Sequence, residues 1–446
     1  MGNLFGTDGV RGVANIELTP ELAFQLGFKG AYVLNKKNQG GNKILVGRDT
    51  RISGTMLESA IAAGICAAGL ETVLLGVIPT PGVAYLTKKE DAVAGIVISA
   101  SHNPAEDNGI KFFGSNGYKL PDAVEDEIEE LILKQGEINR VTGRNVGIVS
   151  RMPNAAEIYA EYLVEQIGSD LSGLKIVVDG ANGAASLIAP GIFKKLGADV
   201  ISINCAPNGL NINADCGSTH TESLSRAVVY HKADIGLAFD GDADRLMAVD
   251  EKGVLLDGDK TMVICANHLK KNGELFENKL VVTIMSNMGL KIAMEKAGIQ
   301  VLSTKVGDRY VLEKMLETGA VLGGEQSGHI IFSNINTTGD GLVTALYLLT
   351  VLQKEGVVLS DLAAQMQHLP QVMKNVRVKT KVDWDSNAQI MEAIHAGADK
   401  LGEEGRILVR PSGTEPLLRV MAEGPNEEEL HEIVEGISRI IYKNLG

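Results

Sequence analysis

The stretch DGDADR sets three carboxylates, Asp240, Asp242 and Asp244, at alternate positions with Gly241 and Ala243 as small spacers. Carboxylates this close repel one another unless a hard cation compensates them, and oxygen-only ligation suits Mg²⁺, Ca²⁺ or Mn²⁺ rather than zinc. Glu251 falls at the twelfth position counted from Asp240, as in an EF-hand. Against that, Arg245 stands where such a loop's sharp turn wants glycine, and the flanks IGLAF and LMAVD read as strands. The plainer alternative is a solvated acidic turn, but apolar runs on both sides hold the loop at a strand end. A second stretch, SASHNP, carries Ser101 and His102 after the apolar run GIVIS. Neighbours in sequence do not point the same way, so the pair is not a nucleophile and base by adjacency, and Asn103 and Pro104 are ordinary turn residues. The absence of a G-x-S-x-G elbow weakens an esterase reading. A phosphoryl group on Ser101 makes better use of the acidic loop. Its charge beside the carboxylates meets repulsion of about 3 kcal/mol per charge pair at about 5 Å and an effective dielectric near 20, which a divalent ion converts into a bridged site. RPSGTEP gathers Arg410, Ser412, Gly413 and Thr414 into an anion cradle, although an ordinary hairpin turn uses the same residues. The Gly-framed loops GTDGVRG and GRDTRISG add Arg11, Arg48 and Arg51, suited to phosphate in a chain that is acidic overall.

The elements that must position these loops follow one grammar, written three times. KILVGRDTRISGTMLESAIAAGICAAGLETVLLG from Lys43, KIVVDGANGAASLIAPGIFKKLGADVISI from Lys175 and KLVVTIMSNMGLKIAMEKAGIQVLST from Lys279 each hold a β-rich run, a polar turn and a helical stretch. Each then reaches Gly69, Gly197 or Gly298 and a second β-branched run. Downstream of each comes another apolar run ending in a polar loop: DAVAGIVIS leads to ASHNP, ADIGLAF to DGDADR and GAVLG to GEQSGH. Parallel sheets covered on both faces follow from this alternation, and loops at comparable strand ends can line one shared cleft. After joints near Val141–Pro153, Val249–Asp259 and Leu362–Lys374 the grammar changes to VRVKTKV, a helix from about Asn387, RILVRPSGTEPLLRVMAE and a last helix from about Asn426, a smaller α+β domain. The domains expected are 1–150, 151–253, 254–366 and 367–446, an α/β chain of three similar domains with mixed or parallel sheets around a central cleft plus a small fourth, α+β domain. A length of 446 residues agrees with several cores. A net charge of −14 argues against a nucleic-acid or anionic-membrane surface. Cys66, Cys205, Cys216 and Cys265 lie far apart without a C-x-x-C pair, which fits reduced thiols and a cytoplasmic setting. The chain has no secretory leader pattern and no run of 18 apolar residues.

GIVISASHNP, DGDADR, GEQSGH and RPSGTEP, in this order along the chain, resemble the α-D-phosphohexomutase superfamily. The resemblance implies three similar α/β domains and a smaller fourth. It implies a phosphoserine at Ser101 and one Mg²⁺ held by Ser101, Asp240, Asp242 and Asp244. GEQSGH, with Glu325, Gln326, Ser327 and His329, then meets the sugar hydroxyls, while Arg410, Ser412, Gly413 and Thr414, with Arg419 and Arg11, hold the substrate phosphate. Gln326, between Glu325 and Ser327, is similar to the glucosamine-specific branch, whereas relatives acting on mannose or glucose phosphates tend to carry Met there. The implied reaction interconverts glucosamine 6-phosphate and glucosamine 1-phosphate through glucosamine 1,6-bisphosphate, feeding amino-sugar and peptidoglycan precursor synthesis. Lys111, Arg245 and His102 are then the groups placed to move protons or screen charge, and Lys305 and Arg309 of TKVGDRY extend the pocket. A homodimer, and a kinase or bisphosphate donor for Ser101, are the partners this reading admits. A phosphomannomutase/phosphoglucomutase is the alternative within the superfamily, and a metal-dependent sugar phosphatase or a non-catalytic sugar-phosphate sensor are the competing classes.

Overall fold

The computed structural model describes residues 4–6, 8–37, 41–134, 138–379, 384–412 and 416–446. They form two compact units, Met1–Met285 with Ile299–Gln365, and Ser286–Gly298 with Met366–Gly446. In the first unit, strands β1 (Val10–Val13), β2 (Lys43–Arg48), β3 (Glu71–Val77), β4 (Ala94–Ile98), β5 (Asp107–Gly114) and β6 (Val149–Arg151) build one sheet, ordered β1-β5-β4-β2-β3-β6. Strands β7 (Lys175–Asp179), β8 (Asp199–Ile203), β9 (Ile235–Phe239), β10 (Leu246–Asp250) and β11 (Leu255–Leu256) build a second, ordered β11-β10-β9-β7-β8. The third, ordered β13-β12-β14-β15, holds β12 (Lys279–Thr283), β13 (Gln300–Thr304), β14 (Leu322–Gly324) and β15 (Ile330–Phe332).

The threefold repeat is present as read. β2 pairs in parallel with β3 and β4, β7 with β8 and β9, and β12 with β13 and β14. Gly69, Gly197 and Gly298 take φ of +91°, +97° and +65°, the left-handed helix end that a Cβ disfavours. Unbroken apolar runs mark strands buried on both faces. In the first sheet Ile44, Val46, Ile96 and Ile98 face one core while Leu45, Val73 and Val97 face another across the sheet, as the period of two requires. Of the two arrangements expected, the sheets take the mixed one: β5, β10 and β15 return antiparallel beside β4, β9 and β14. The connections 99–106, 240–245 and 325–329 explain this, because a parallel return needs a crossover of about a dozen residues or more. The stretch around Val141–Pro153 also carries a strand, since β6 pairs with β3.

In the second unit β16 (Gln371–Arg377), β17 (Arg406–Pro411) and β18 (Leu417–Glu423) form an antiparallel sheet, ordered β16-β18-β17. The helices Ala388–Leu401 and Glu427–Leu445 start where asparagine suggests. Asn387 accepts from the backbone N–H of Gln389 and Ile390, and Asn426 from Glu428 and Glu429. Val376, Ile390, Leu418, Val420, Ile433 and Ile437 share its core. The helix Met288–Lys296, read as the middle of the third repeat, belongs to this unit. The Met288 N–H donates to Glu423 Oε1 at 2.8 Å, the Asn287 amide to the Leu369 carbonyl at 3.0 Å, and Arg406 to the Ser286 carbonyl at 2.6 Å.

Candidate active site

The three return connections occupy the same topological position in the three sheets of the first unit, and they meet. Leu246 N–H donates to the Gly328 carbonyl at 3.1 Å, Gly341 N–H to the Ala243 carbonyl at 3.0 Å and Thr80 N–H to the Asp242 carbonyl at 2.9 Å. Gly241 has to be glycine: a Cβ there would lie 2.5 Å from the Ser101 carbonyl oxygen.

Ser101 is buried, and its Oγ donates to Asp240 Oδ2 at 2.6 Å. Its φ of +52° is left-handed, a conformation costing an L-residue roughly 1–2 kcal/mol, so the surroundings must impose it. They do so through residues distant in sequence. The fully buried Arg51 guanidinium donates to the carbonyls of Ser101 (3.0 Å), Asn103 (2.8 Å), Asp107 (3.1 Å) and Pro104, and through Nε to Asp49 Oδ2 (2.9 Å). Asp49 also accepts from Ser99 Oγ at 2.6 Å, and Ser99 Oγ accepts the Ser101 N–H at 2.9 Å. The Asn213 amide donates to the Ser101 and Asn103 carbonyls, each at 2.9 Å. Arg51 was a phosphate candidate in the sequence, but all of its donors are used to hold this loop.

Asp240, Asp242 and Asp244 are buried and each offers an oxygen within 4.8 Å of the others. The buried Lys111 Nζ lies 3.0 Å from Asp242 Oδ2, 3.0 Å from Asp8 Oδ2 and 3.8 Å from Asp244 Oδ2, and Thr80 Oγ1 donates to Asp242 Oδ2 at 2.7 Å. Burial works to raise the Asp242 carboxyl, but Lys111 and Thr80 outweigh it and hold it below the ordinary range. Burial likewise opposes the Lys111 charge, yet Asp242, Asp8 and Asp244 raise its ammonium well above the usual value, so Lys111 is a fixed cation. Asp240, desolvated and facing Asp244 and Asp242, is pushed up. Asp242 Oδ1 and Asp244 Oδ1 are buried without a hydrogen-bond donor. Orphaned anionic oxygens converging on one point fit a hard divalent ion. Glu251, the residue that raised the EF-hand reading, instead accepts from Ser360 Oγ at 2.6 Å.

Around this cluster, Arg245 donates its backbone N–H to Asp240 Oδ1 at 3.2 Å, and its Nε lies 3.8 Å from Asp244 Oδ1. His102 Nδ1 is 3.4 Å from Ser101 Oγ, and burial with the charges of Arg245 and Arg11 lowers its imidazole to about 4, so it is neutral near pH 7. Arg11 pairs with Asp8. Buried His329 sits 4.0 Å from Asp244 Oδ2 and 3.7 Å from Asp308 Oδ2, with neither ring nitrogen hydrogen-bonded, and Ser327 Oγ is a buried hydroxyl without a partner. Glu325 Oε1 accepts the Gly307 N–H at 3.1 Å. Gln326 turns away from the cluster and donates to Asp257 Oδ2 at 3.1 Å, where Asp257 caps the helix Gly258–Lys271. Lys305 is exposed. Arg309 is not brought to the acidic cluster: Asp122, Glu125 and Glu313 surround its guanidinium.

In the second unit, Arg410 and Arg419 are direct cross-strand partners on β17 and β18. Like charges opposite one another are unfavourable, and Arg419 Nε is buried without a hydrogen bond. Burial and Arg419 together lower the Arg410 guanidinium from its ordinary value. Such a pair suits a bidentate anion. Ser412 is buried beside it, at the start of the hairpin connection; Gly413 and Thr414 lie outside the described residues.

Asp8, Thr80, Asn213 and Lys119, which bonds Asp8 at 2.5 Å and Asp308, were not identified from sequence as parts of this site, and Arg51 was read there as a phosphate ligand rather than as the clamp on the Ser101 loop. The one signal was that Asp8 and Arg51 lie within the Gly-framed loops.

Repeated α/β sheets whose return loops bring a buried serine and three carboxylates together beside a fixed lysine on β5 define the class: the chain belongs to the phosphoglucomutase/phosphomannomutase family. The profiles of its α/β/α domains I, II and III match residues 2–139, 157–253 and 257–369, and that of its C-terminal domain matches 373–440. Within that family the chain is 57% identical to phosphoglucosamine mutase of Heliobacterium modesticaldum, over 99% of this chain and 100% of the relative. It is 58% identical to that of Carboxydothermus hydrogenoformans, with the same coverage. A phosphoglucomutase/phosphomannomutase family protein of Burkholderia thailandensis superposes with a TM-score of 0.81 at 26% identity, over 98% of this chain and 97% of that one.

Proposed function

We propose that the protein interconverts glucosamine 6-phosphate and glucosamine 1-phosphate by way of a phosphoserine at Ser101 and a bisphosphorylated sugar. The observation that carries this is the hydrogen bond from Ser101 Oγ to Asp240, inside a cluster whose orphaned oxygens call for a cation. The sugar is chosen by the phosphoglucosamine mutases that match end to end. Asp240, Asp242, Asp244 and the phosphorylated Ser101 would hold Mg²⁺, which when bound neutralises phosphoryl oxygens.

On transfer to the sugar's 1-hydroxyl, the bond from Ser101 Oγ to phosphorus breaks and a bond from the 1-oxygen forms. The hydroxyl gives up its proton and Ser101 Oγ regains one. Lys111 stays protonated and supplies fixed positive charge rather than a base. Neutral His102, with Nδ1 3.4 Å from Ser101 Oγ, is the group placed to exchange a hydrogen bond with that oxygen as its proton leaves or returns. Arg245 screens the developing charge. Glu325, Ser327 and His329 present acceptors and donors to sugar hydroxyls, whereas Gln326 acts on sugar choice through the position of its loop, because its amide is tied to Asp257. Arg410, Ser412, Gly413, Thr414 and Arg419 hold the phosphate that is not reacting. The bisphosphate then turns over and returns its other phosphoryl to Ser101. Domains divided at 150, 253 and 366 and a cytoplasmic setting complete the reading.

The test is Ser101→Ala, assayed with glucosamine 6-phosphate, Mg²⁺ and a trace of hexose 1,6-bisphosphate. Turnover should vanish with the fold intact, and the phosphoryl adduct seen by intact mass in the wild type should be absent. Phosphate release without 1-phosphate would point to a phosphatase. Normal turnover in the variant would remove the covalent step.

A further inference from the structure

Away from the acidic cluster, the first unit holds a second cavity of about 760 Å³, within the range of small-molecule sites. It lies between β3, β6 and the helix Gly54–Ala67 on one side and the helices Ala155–Ile167 and Ala185–Lys195 on the other, and of the candidate residues named above only Arg48 lines it. One end is polar. Arg48 Nε and Glu58 Oε1 face each other across 3.6 Å, buried, and neither makes a hydrogen bond. Burial raises the Glu58 carboxyl even against the pull of Arg48 and Arg151. The charge of Arg151 also acts on Glu58, and Lys195 adds charge at the rim. The opposite wall is apolar, with Met152, Ala160, Val164, Leu187 and Ile188, and the Leu187 side chain is two-thirds exposed. The space is real at atomic scale: a Cβ on Gly76 or Gly191 would meet nothing within 4 Å. Three cations, Arg48, Arg151 and Lys195, face two carboxylates, Glu58 and Glu157, so the cavity carries a small net positive charge in a chain of charge −14.

Its walls are continuous with both halves of the reaction centre. The Arg48 guanidinium donates to the Asp49 carbonyl at 3.2 Å, and Asp49 anchors Arg51 and Ser99, which hold the Ser101 loop. Ala184, at the head of the helix Ala185–Lys195, donates its N–H to the Gly241 carbonyl inside the carboxylate loop at 2.9 Å.

We propose that this cavity is an effector site for a small amphiphilic anion, its phosphate head on Arg48 and Arg151 and its flat or aliphatic body against Met152, Val164 and Ile188. Occupancy changes the spacing of the Ser101 and carboxylate loops. The head satisfies Arg48 Nε, which protein atoms leave unpaired. The body covers apolar surface now open to water.

The experiment titrates the full chain with AMP, UMP and octyl phosphate by calorimetry, with octyl glucoside as the uncharged control, and repeats it on Arg151→Ala and Gly191→Phe. Gly191 lies within a helix facing open space, so its replacement should fold, and circular dichroism checks this. At least one phosphate probe should bind at millimolar concentration or below. Arg151→Ala should weaken it by about tenfold or more, as loss of a charge-assisted bond implies. Gly191→Phe should abolish binding, and octyl glucoside should not bind. Bound probe should change the rate of Ser101 phosphorylation in the wild type and leave it unchanged in Gly191→Phe. Binding that persists unaltered in both variants, no binding by any of the three probes, or binding without a rate change would overturn the proposal. The binding isotherms are independent of whether the mutase reading holds.

Discussion

Arg51→Lys isolates the element that holds the nucleophile. Arg51 uses Nε and both terminal nitrogens on Asp49 and on the carbonyls of residues 101, 103, 104 and 107. Lysine keeps the charge but offers three donors from one point, so at least two of these five bonds are lost. Each buried acceptor left unsatisfied costs about 1–3 kcal/mol, which gives a loss of roughly 2–6 kcal/mol shared between global stability and the loop. The loop can recover part of it by letting Ser101 leave its left-handed conformation, worth about 1–2 kcal/mol, which draws Oγ away from Asp240. Urea unfolding should therefore show a loss near the lower end of that range. The rate of Ser101 phosphorylation by glucose 1,6-bisphosphate, followed by intact mass, should fall by at least about tenfold while substrate KM moves little. Asn213→Ala, removing two bonds to the same carbonyls, should give a smaller loss of the same kind. A lysine variant as stable as the wild type and phosphorylated at the same rate would refute this account of the loop.

Asp242→Asn should raise the Mg²⁺ concentration for half-maximal activity by about 10- to 100-fold or more, since even supporting partners of a metal ligand reach that range; full activity of either protein after chelation would make the acidic loop structural. His102 is held near 4 in the folded protein against 6.5 for an ordinary histidine, so the unfolded chain binds more protons between those values. Its contribution to stability is present above about 6.5 and is lost as pH falls toward 4, and His102→Asn should show a shallower decline of melting temperature across that interval. Arg410→Ala should weaken both phosphosugars by about 1.5–3 kcal/mol. Gln326→Met, by contrast, should lower the glucosamine-to-glucose preference in kcat/KM with little change in phosphate affinity; equal losses on both sugars would sink the specificity role.

Some of this architecture is local and therefore written in the chain. The strand, helix, strand units with Gly69, Gly197 and Gly298 at their helix ends depend on periodicity and on one backbone conformation that glycine alone takes cheaply. Asn387 and Asn426 cap helices through N–H groups two and three residues away. The carboxylates of DGDADR converge because they share one short turn. What the sequence did not reveal depends on partners far along the chain. Arg51 looked like a phosphate ligand because an arginine among glycines has no visible partner, yet fold closure brings to it carbonyls more than 50 residues away. Arg309 looked equally free until Asp122 and Glu125 met it from a helix nearly 190 residues earlier. Asp8 and Thr80 gave no signal as neighbours of Lys111 and Asp242, since nothing in a heptapeptide says which distant charge it will face. Side-chain type and spacing determine which chemistry is available; burial and long-range pairing decide which of those groups remain free to perform it, because a charge taken out of water must find its compensation wherever the fold places one.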